Sequence, residues 1–202
     1  MSIQQNIAFG VLAGGKSSRM GRDKAAMQWM GSTFLDTVLS AGDGFPERLV
    51  SLSAAADPAV AARLAAAGIE VVWDETEDAG PMEGIRQILR HAKCDACLIT
   101  ATDMPFLTGE LLTYLAERYA GRGNLALTCR GLTEPLCSIY ARDCLPAIED
   151  LRKENRRRPA LLFERVETVF LPLEETGFSE KLLCNINCAE DYEGLLAAGG
   201  GR

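Results

Sequence analysis

Short apolar segments alternate with helical segments along the first 120 residues, and this alternation constrains the fold more than any other feature of the chain. Four apolar runs are typical of buried strands, at residues 7–13, 48–53, 69–73 and 96–101. A helical segment follows each of them, at residues 33–41, 57–68, 80–91 and 108–119. Strands that alternate with helices predict a parallel sheet with helices on both faces.

The rest of the chain follows a less regular pattern. Three further runs indicate strands, at residues 125–129, 136–140 and 166–171, and helices are predicted at residues 143–153 and after Asn187. Only a short turn at residues 131–134 separates the first two runs, so an antiparallel element is expected there. We therefore predict one three-layer α/β/α, Rossmann-like domain over residues 1–202, with an antiparallel element in its C-terminal half.

Composition narrows the classes of protein that fit. The chain has 202 residues, 48% of them hydrophobic and 24% charged, as expected of a single globular domain. Its formal net charge of -7 argues against general nucleic-acid binding, which needs a basic face. No apolar run has membrane-spanning length and no export signal is evident, so we expect a soluble, cytoplasmic protein without a membrane partner.

The first strand is followed by a glycine-rich, basic segment, LAGGKSSRMGRDK, at residues 12–24. Gly14 and Gly15 have no Cβ atom that would keep an anion from the backbone. Arg19 and Lys24 supply positive charge, whereas Lys16 and Arg22 fit ordinary solvated side chains. The segment is therefore predicted to bind phosphate groups.

The same segment also satisfies a Walker A pattern, GVLAGGKS, at residues 10–17. A Walker loop leaves its strand at the first glycine, here Gly10. Residues 11–13 instead continue the apolar strand, and Gly21 interrupts the helix that should follow the loop. The loop is therefore interpreted as starting at Gly14, and Lys24 rather than Lys16 is expected to be the essential lysine.

Two carboxylates are predicted at the same edge of the sheet as this loop. Asp74 follows the third strand and Asp103 follows the fourth, and ligands of open α/β sheets bind beyond the carboxyl ends of the strands. Asp103 is the best candidate for Mg²⁺, which prefers one or two carboxylates together with phosphate oxygens. An ordinary turn aspartate before Met104-Pro105 is the alternative interpretation of Asp103.

The helix that starts at Gly80-Pro81 offers a different kind of site. Gly80 and Gly84 have no side chains beyond Cα, so they leave room for a flat ring beside the backbone.

Seven cysteines, an odd number, lie mostly in apolar segments. Reduced core thiols are the expected state in a cytoplasmic chain. Cys94 and Cys97 form a CxxC pair, and Cys184 and Cys188 are separated by three residues, so metal binding by cysteine stays open.

Five motifs, in this order and spacing, resemble those of the molybdenum cofactor guanylyltransferases, within the wider nucleotidyltransferase group. They are LAGGKSSRMGRDK, DAGPMEG at residues 78–84, TDMPF at 102–106, PLCSIY at 135–140 and NINCAED at 185–191. The resemblance covers nearly the whole chain and implies the nucleotidyltransferase fold. It also implies an enzyme that transfers GMP from Mg-GTP to the terminal phosphate of molybdopterin, releasing pyrophosphate.

The resemblance implies roles for particular residues, with Mg²⁺ as the cofactor. Asp103 would bind the metal, and Asn185 and Asn187 would lie near the acceptor. Residues 1–120 would bind the nucleotide, and residues 121–202 the acceptor. Molybdoenzymes or other cofactor-biosynthesis proteins would be partners. The nucleotide would contact Leu12, Ala13, Gly14, Gly15, Lys24, Ser53, Asp74, Gly80, Pro81, Gly84 and Asp103.

Two positions depart from the family pattern, which usually has asparagine at Ser53 and a small residue at Glu83. Both are expected on the base side, so the sequence supports nucleotidyl transfer more strongly than it supports guanine as the base. A related transferase that uses CTP or a sugar phosphate is one alternative. A P-loop GTP-binding regulator and a non-catalytic cofactor-handling adaptor are two others. The basic cluster Arg156 to Arg158 is a further candidate for the pterin phosphate.

Overall fold

The computed structural model describes residues 6–14, 28–29, 31–76 and 80–186. Its strands are β1 (Ile7–Leu12), β2 (Gln28–Trp29), β3 (Ser32–Thr33), β4 (Arg48–Leu52), β5 (Glu70–Trp73), β6 (Ala96–Ala101), β7 (Asn124–Cys129), β8 (Leu132–Thr133), β9 (Cys137–Ala141) and β10 (Thr168–Pro172). Its α-helices are α1 (Phe34–Ala41), α2 (Pro58–Ala66), α3 (Pro81–His91), α4 (Gly109–Arg118) and α5 (Leu145–Lys153).

Seven strands form the central sheet in the order β5-β4-β1-β6-β9-β7-β10, and β8 pairs with β7 at one end. The strands from β5 to β6 are parallel neighbours, and β10 is parallel to β7. Only β9 runs against its neighbours β6 and β7 in this order. The predicted parallel sheet with an antiparallel element is confirmed.

Alternating side chains of β1 show why helices cover both faces of the sheet. Ile7, Phe9 and Val11 belong to one buried cluster with apolar side chains of α1, α2 and α4. Ala8 and Leu12 belong to a second cluster with side chains of α3 and α5. A strand that is buried on both faces has apolar residues at successive positions, and the sequence of β1 shows this pattern. The three-layer α/β/α prediction is confirmed.

Sequence patterns located every long element and missed the short ones. The predicted helix at residues 143–153 begins as a 3₁₀ turn, Arg142–Cys144, before α5. Two- to four-residue elements carry too few side chains to show a period. The missed elements are β2, β3, β8 and the 3₁₀ helices Pro159–Leu162, Leu173–Glu175 and Glu180–Leu183. The helix predicted after Asn187 lies outside the described residues.

Neither a membrane span nor a clustered metal site occurs in the part of the chain that the structure describes. No helix there is long and apolar enough to cross a membrane. The same ranges contain no group of three or more His, Cys, Asp or Glu side chains that could hold a metal. Cys94, Cys97, Cys137 and Cys144 are buried free thiols, and burial raises the pKa of Cys144 to about 12.

Candidate active site

The carboxyl ends of β5, β4, β1 and β6 lie side by side, and the predicted site residues gather at this edge of the sheet. Ten of these residues are described: Leu12, Ala13, Gly14, Ser53, Asp74, Gly80, Pro81, Gly84, Asp103 and Asn185. Four others lie outside the described residues: Gly15, Arg19, Lys24 and Asn187.

Strand β1 runs through Gly10 rather than ending there. Gly10 pairs with Leu49 of β4 and Ile99 of β6. A Cβ atom at this position would lie 2.7 Å from Ile99 Cδ1 and 2.9 Å from Ile88 Cγ2, so this glycine lets α3 pack on the sheet. A Walker loop would leave its strand at Gly10, and the Walker A alternative therefore fails at its first residue.

Hydrogen bonds from both neighbouring strands fix the end of β1. The Ala13 N–H donates to the Ser51 carbonyl oxygen at 2.9 Å. The Thr102 N–H donates to the Leu12 carbonyl oxygen at 3.2 Å. The loop therefore starts at Gly14, immediately after the part of the backbone that these hydrogen bonds hold in the sheet.

Gly14 is in close contact with the carboxylate that follows β5. A Cβ atom on Gly14 would lie 2.8 Å from Asp74 Oδ2 and 3.3 Å from the Ser53 backbone nitrogen. The structure thus brings together Gly14, Ser53 and Asp74, which follow three different strands. No side chain larger than hydrogen fits at position 14 unless Asp74 moves.

Asp74 is held in place by the strand next to it. Its backbone N–H donates to the Leu52 carbonyl oxygen at 2.9 Å, and its Oδ1 accepts a 2.6 Å hydrogen bond from Ser51 Oγ. Burial raises the pKa of Asp74, and the hydrogen bond from Ser51 opposes this rise only in part. The second oxygen, Oδ2, faces the end of β1.

The start of α3 covers the same edge. Gly80 is the N-cap with φ 74°, a conformation that favours glycine, and no side chain caps the helix. A Cβ atom on Gly84 would lie 2.8 Å from Leu12 Cδ2 and 3.0 Å from Ser51 Oγ. The first turn of α3 therefore rests directly on the ends of β1 and β4, beside Asp74.

Glu83 does not face a base site, contrary to the expectation from the sequence. Its side chain is only 1% exposed, and its carboxylate accepts hydrogen bonds from Arg86, Gln87 and the Glu75 backbone N–H. Burial alone would raise the pKa of Glu83, but these hydrogen bonds outweigh it and hold the pKa below its usual value. The acid that departs from the family pattern at position 83 therefore forms an ion pair inside the protein.

Asp103 follows β6 and is half-buried. Its carbonyl oxygen accepts a 2.8 Å hydrogen bond from the Ile186 N–H, which brings the exposed Asn185 to this part of the edge. Asn185 and Asp103, predicted on the acceptor and metal sides, are thus neighbours in the fold although they lie 82 positions apart in the sequence.

The surroundings of Asp103 suit a divalent cation. A half-buried carboxylate stands at the end of β6, and the hydrogen bond from Thr102 to Leu12 ties this end to that of β1. Mg²⁺ commonly takes one or two carboxylates and completes its shell with phosphate oxygens and water. Asp103 fits that arrangement beside the predicted phosphate segment.

The basic cluster Arg156 to Arg158 lies near the start of α3. All three residues are exposed. The Arg157 carbonyl oxygen is 3.9 Å from where a Cβ atom of Gly80 would stand. The cluster therefore borders the region predicted to take the base.

Sequence reasoning missed Ser51 and treated PLCSIY only as a motif. The available signal for Ser51 was its position as a serine in an apolar strand, two positions before the predicted site residue Ser53.

In PLCSIY, Ser138 Oγ and Tyr140 Oη donate to the carbonyl oxygens of Glu134 and Pro135, both at 2.8 Å. These two side chains anchor the turn before β9.

Comparison with known proteins agrees with this geometry. The sequence profile of the MobA-like NTP transferase domain matches residues 10–169, which include the second half of β1, Asp74, α3 and Asp103. The chain belongs to the MobA-like NTP transferase family. It is therefore an enzyme, a nucleotidyltransferase.

Individual relatives are similar to this MobA-like chain over nearly its whole length. A protein of Carboxydothermus hydrogenoformans named "Probable molybdenum cofactor guanylyltransferase" is 30% identical over 195 residues, covering 95% of this chain and 96% of its own. The molybdopterin-guanine dinucleotide biosynthesis protein A of Archaeoglobus fulgidus superposes with a TM-score of 0.78 at 25% identity, covering 96% of this chain and all of its own.

A more distant structure shares the fold. Rv0371C of Mycobacterium tuberculosis, solved in complex with manganese, has a TM-score of 0.66 at 20% identity, covering 96% of this chain and 99% of its own. The family, the sheet order and the edge residues together support the fold and the enzyme class predicted from the sequence.

Proposed function

We propose that this enzyme transfers GMP from Mg-GTP to the terminal phosphate of molybdopterin and releases pyrophosphate. The observation that carries the proposal is the gathering of Gly14, Asp74 and Asp103 beyond three strands of one sheet edge. The names of the Carboxydothermus and Archaeoglobus relatives support guanine as the base and molybdopterin as the acceptor.

In this proposal the nucleotide lies across the ends of β1, β4 and β5. Residues 12–15 and Lys24 contact its phosphates. Asp74, Ser53 and the Gly80, Pro81 and Gly84 turn lie on the guanine side. Guanine presents N–H donors on its Watson-Crick edge, and the Asp74 carboxylate supplies acceptor oxygens on the guanine side of the site.

The reaction needs no nucleophilic side chain. An oxygen of the acceptor phosphate forms a bond to the α-phosphorus of GTP. The bond from that phosphorus to the bridging oxygen breaks, and its electron pair leaves with pyrophosphate. Several anionic groups must come together, so the protein has to position them and neutralise their charge. Arg19 and Lys24 are assigned these roles, together with Asp103 as the residue that would hold Mg²⁺.

Asp103 would hold Mg²⁺, which when bound neutralises phosphate charge and orients the phosphates. Asn185 and Asn187 would contact the molybdopterin acceptor, because the Asn185 segment joins the edge at Asp103. Residues 1–120 would then carry the nucleotide side and residues 121–202 the acceptor side.

Pyrophosphate release tests the proposal directly. Purified protein with Mg²⁺ and molybdopterin should release pyrophosphate from GTP, with CTP and ATP run as parallel substrates. Release from GTP well above the other nucleotides is expected. Turnover of CTP but not GTP would assign the chain to a different transferase activity, and no turnover of any nucleotide would favour the adaptor.

Asp103→Asn tests the metal assignment. The amide keeps the shape of the side chain but removes the charge that holds a divalent cation, so kcat should fall at least about a hundredfold, about 2.7 kcal/mol. Circular dichroism should show an unchanged fold. Glu117→Gln, at an exposed position of α4, is the control and should keep wild-type turnover. Full turnover by Asp103→Asn would remove Asp103 from the mechanism.

A further inference from the structure

Position 83 carries a buried acid that is paired with a buried arginine. Glu83 is 1% exposed and Arg86 is 2% exposed, and both lie on α3. Arg86 Nε and Nη2 donate to the two carboxylate oxygens of Glu83 at 3.1 and 2.9 Å. Burying two charges is costly, and such a pair can often be replaced by apolar side chains without loss of stability. Stability alone therefore does not explain this pair.

Glu83 makes two contacts outside α3. Arg152 Nε of α5 lies 3.5 Å from Glu83 Oε2, and the second contact of Glu83 is with the segment that follows β5. Glu83 Oε1 accepts a 3.1 Å hydrogen bond from the backbone N–H of Glu75, eight residues earlier in the chain. Glu75 directly follows Asp74. The carboxylate therefore ties the segment that carries Asp74 to the first turn of α3.

The neighbouring contacts extend this tie to the rest of the edge. Gly84, the next residue of α3, packs on Leu12 and Ser51. Ser51 Oγ in turn donates to Asp74 Oδ1 at 2.6 Å. Asp74 is thus held by β4 on one side and, through Glu75 and Glu83, by α3 on the other.

We propose that Glu83 is a positioning residue for the nucleotide, because it holds the Asp74 segment and the start of α3 in one fixed relation. This inference rests on the proposed function. Glu83 does not touch the nucleotide, and it acts by keeping the Asp74 carboxylate and the α3 backbone at the separation that the base requires. Its effect therefore falls on nucleotide affinity, with the chemical step unchanged.

Two double variants isolate the acceptor atom at position 83. Glu83→Gln with Arg86→Met removes both charges but keeps an oxygen that can accept from the Glu75 N–H. Glu83→Met with Arg86→Met removes both charges and the acceptor. Both replace a buried ion pair by neutral side chains of similar volume, so both are expected to fold.

The two variants should differ in nucleotide binding. The Kd of Mg-GTP, measured by calorimetry, should rise about tenfold for the methionine pair and at most about threefold for the glutamine variant. The KM for GTP should follow the Kd, while kcat stays within about twofold of wild type. Asp43→Met with Arg48→Met replaces an acid–arginine pair at the opposite end of the sheet and should leave the Kd unchanged.

Equal GTP affinity in the two position-83 variants would overturn the positioning role. If the methionine pair does not fold, Glu83→Asp replaces it, because the shorter side chain keeps the charge but withdraws the acceptor. A Kd equal to wild type in that variant would likewise overturn the proposal. Failure of the wild-type protein to bind GTP would instead contradict the proposed function.

Discussion

At the scale of single residues, the contact between Gly14 and Asp74 defines the candidate site. The sequence indicated that Gly14 lets a phosphate approach the backbone. The structure adds a second reason, since Asp74 Oδ2 stands 2.8 Å from where a Cβ atom of Gly14 would be. Ser51 holds the other oxygen of Asp74. Gly14 and Asp74 are therefore coupled, and a change at one displaces the other.

Gly14→Ala should weaken GTP binding at least about tenfold, which corresponds to about 1.4 kcal/mol. The added methyl group pushes Asp74 away from the end of β1 and narrows the space for phosphate. Calorimetric titration with Mg-GTP measures the effect. Gly44→Ala is the matched control, because nothing lies within 4 Å of a Cβ atom there. Unchanged GTP affinity in Gly14→Ala would show that the close approach of Asp74 to Gly14 is not needed for GTP binding.

At the scale of elements, α3 joins the sheet to the segment after β5 through charged side chains. Arg86 bonds to Glu75 as well as Glu83, and Arg90 donates to Glu75 Oε1 at 2.9 Å. The hydrogen bond from Arg86 is the main reason that the pKa of Glu75 falls to about 2. The ionised Glu75 carboxylate therefore stabilises the docking of this segment on α3.

The pKa of Glu75 predicts how stability changes with pH. Its folded pKa lies below its ordinary value of 4.5, so the unfolded chain binds the proton more readily. The contribution of this carboxylate is complete above about pH 5 and is lost as the pH falls toward 2. Glu75→Gln should lower the melting temperature at pH 7, and its difference from wild type should disappear near pH 2.

Thermal melts of both proteins between pH 7 and 2 measure this effect. Glu117→Gln, at an exposed position of α4, serves as the control and should leave the pH dependence unchanged. A difference between Glu75→Gln and wild type that stays constant down to pH 2 would show that the ion pair does not account for the stability of this link.

At the scale of the whole molecule, the two predicted halves share one sheet. Strand β9 comes from the C-terminal half, yet it lies between β6 and β7 and pairs with both. Arg86 of α3 reaches Glu149 of α5 at 3.2 Å, and the Ile186 N–H reaches the Asp103 carbonyl oxygen. These contacts favour a single cooperative unit over two independent domains.

The chain should accordingly unfold in one transition, with the same midpoint by circular dichroism and tryptophan fluorescence. Mg-GTP at about one hundred times its Kd should stabilise the protein by about 2.7 kcal/mol, which raises the melting temperature by roughly 5–10 °C. Because the unit is cooperative, both probes should shift together. Two separate transitions, with only one shifted by GTP, would contradict the single-domain prediction.

Much of the fold could be predicted because each long element carries its own local signal. β1, buried on both faces, reads as a continuous apolar run, and α2 and α3 begin with proline after aspartate or glycine. The antiparallel β9 was predicted from the short turn before it. The insertion of β9 between β6 and β7 was not, because strand order depends on contacts between distant segments.

Sequence alone determined the chemical types at the candidate site and the strand ends that carry them. Only the tertiary structure decided which of these residues touch. It placed Asp74 against Gly14 and the Asn185 segment beside Asp103. It also showed that Glu83, expected on the base side, forms a buried ion pair with Arg86. The physical reason is that strand-end positions follow from local periodicity. The direction and partners of a polar side chain instead depend on which distant donors and acceptors the fold brings within hydrogen-bonding distance.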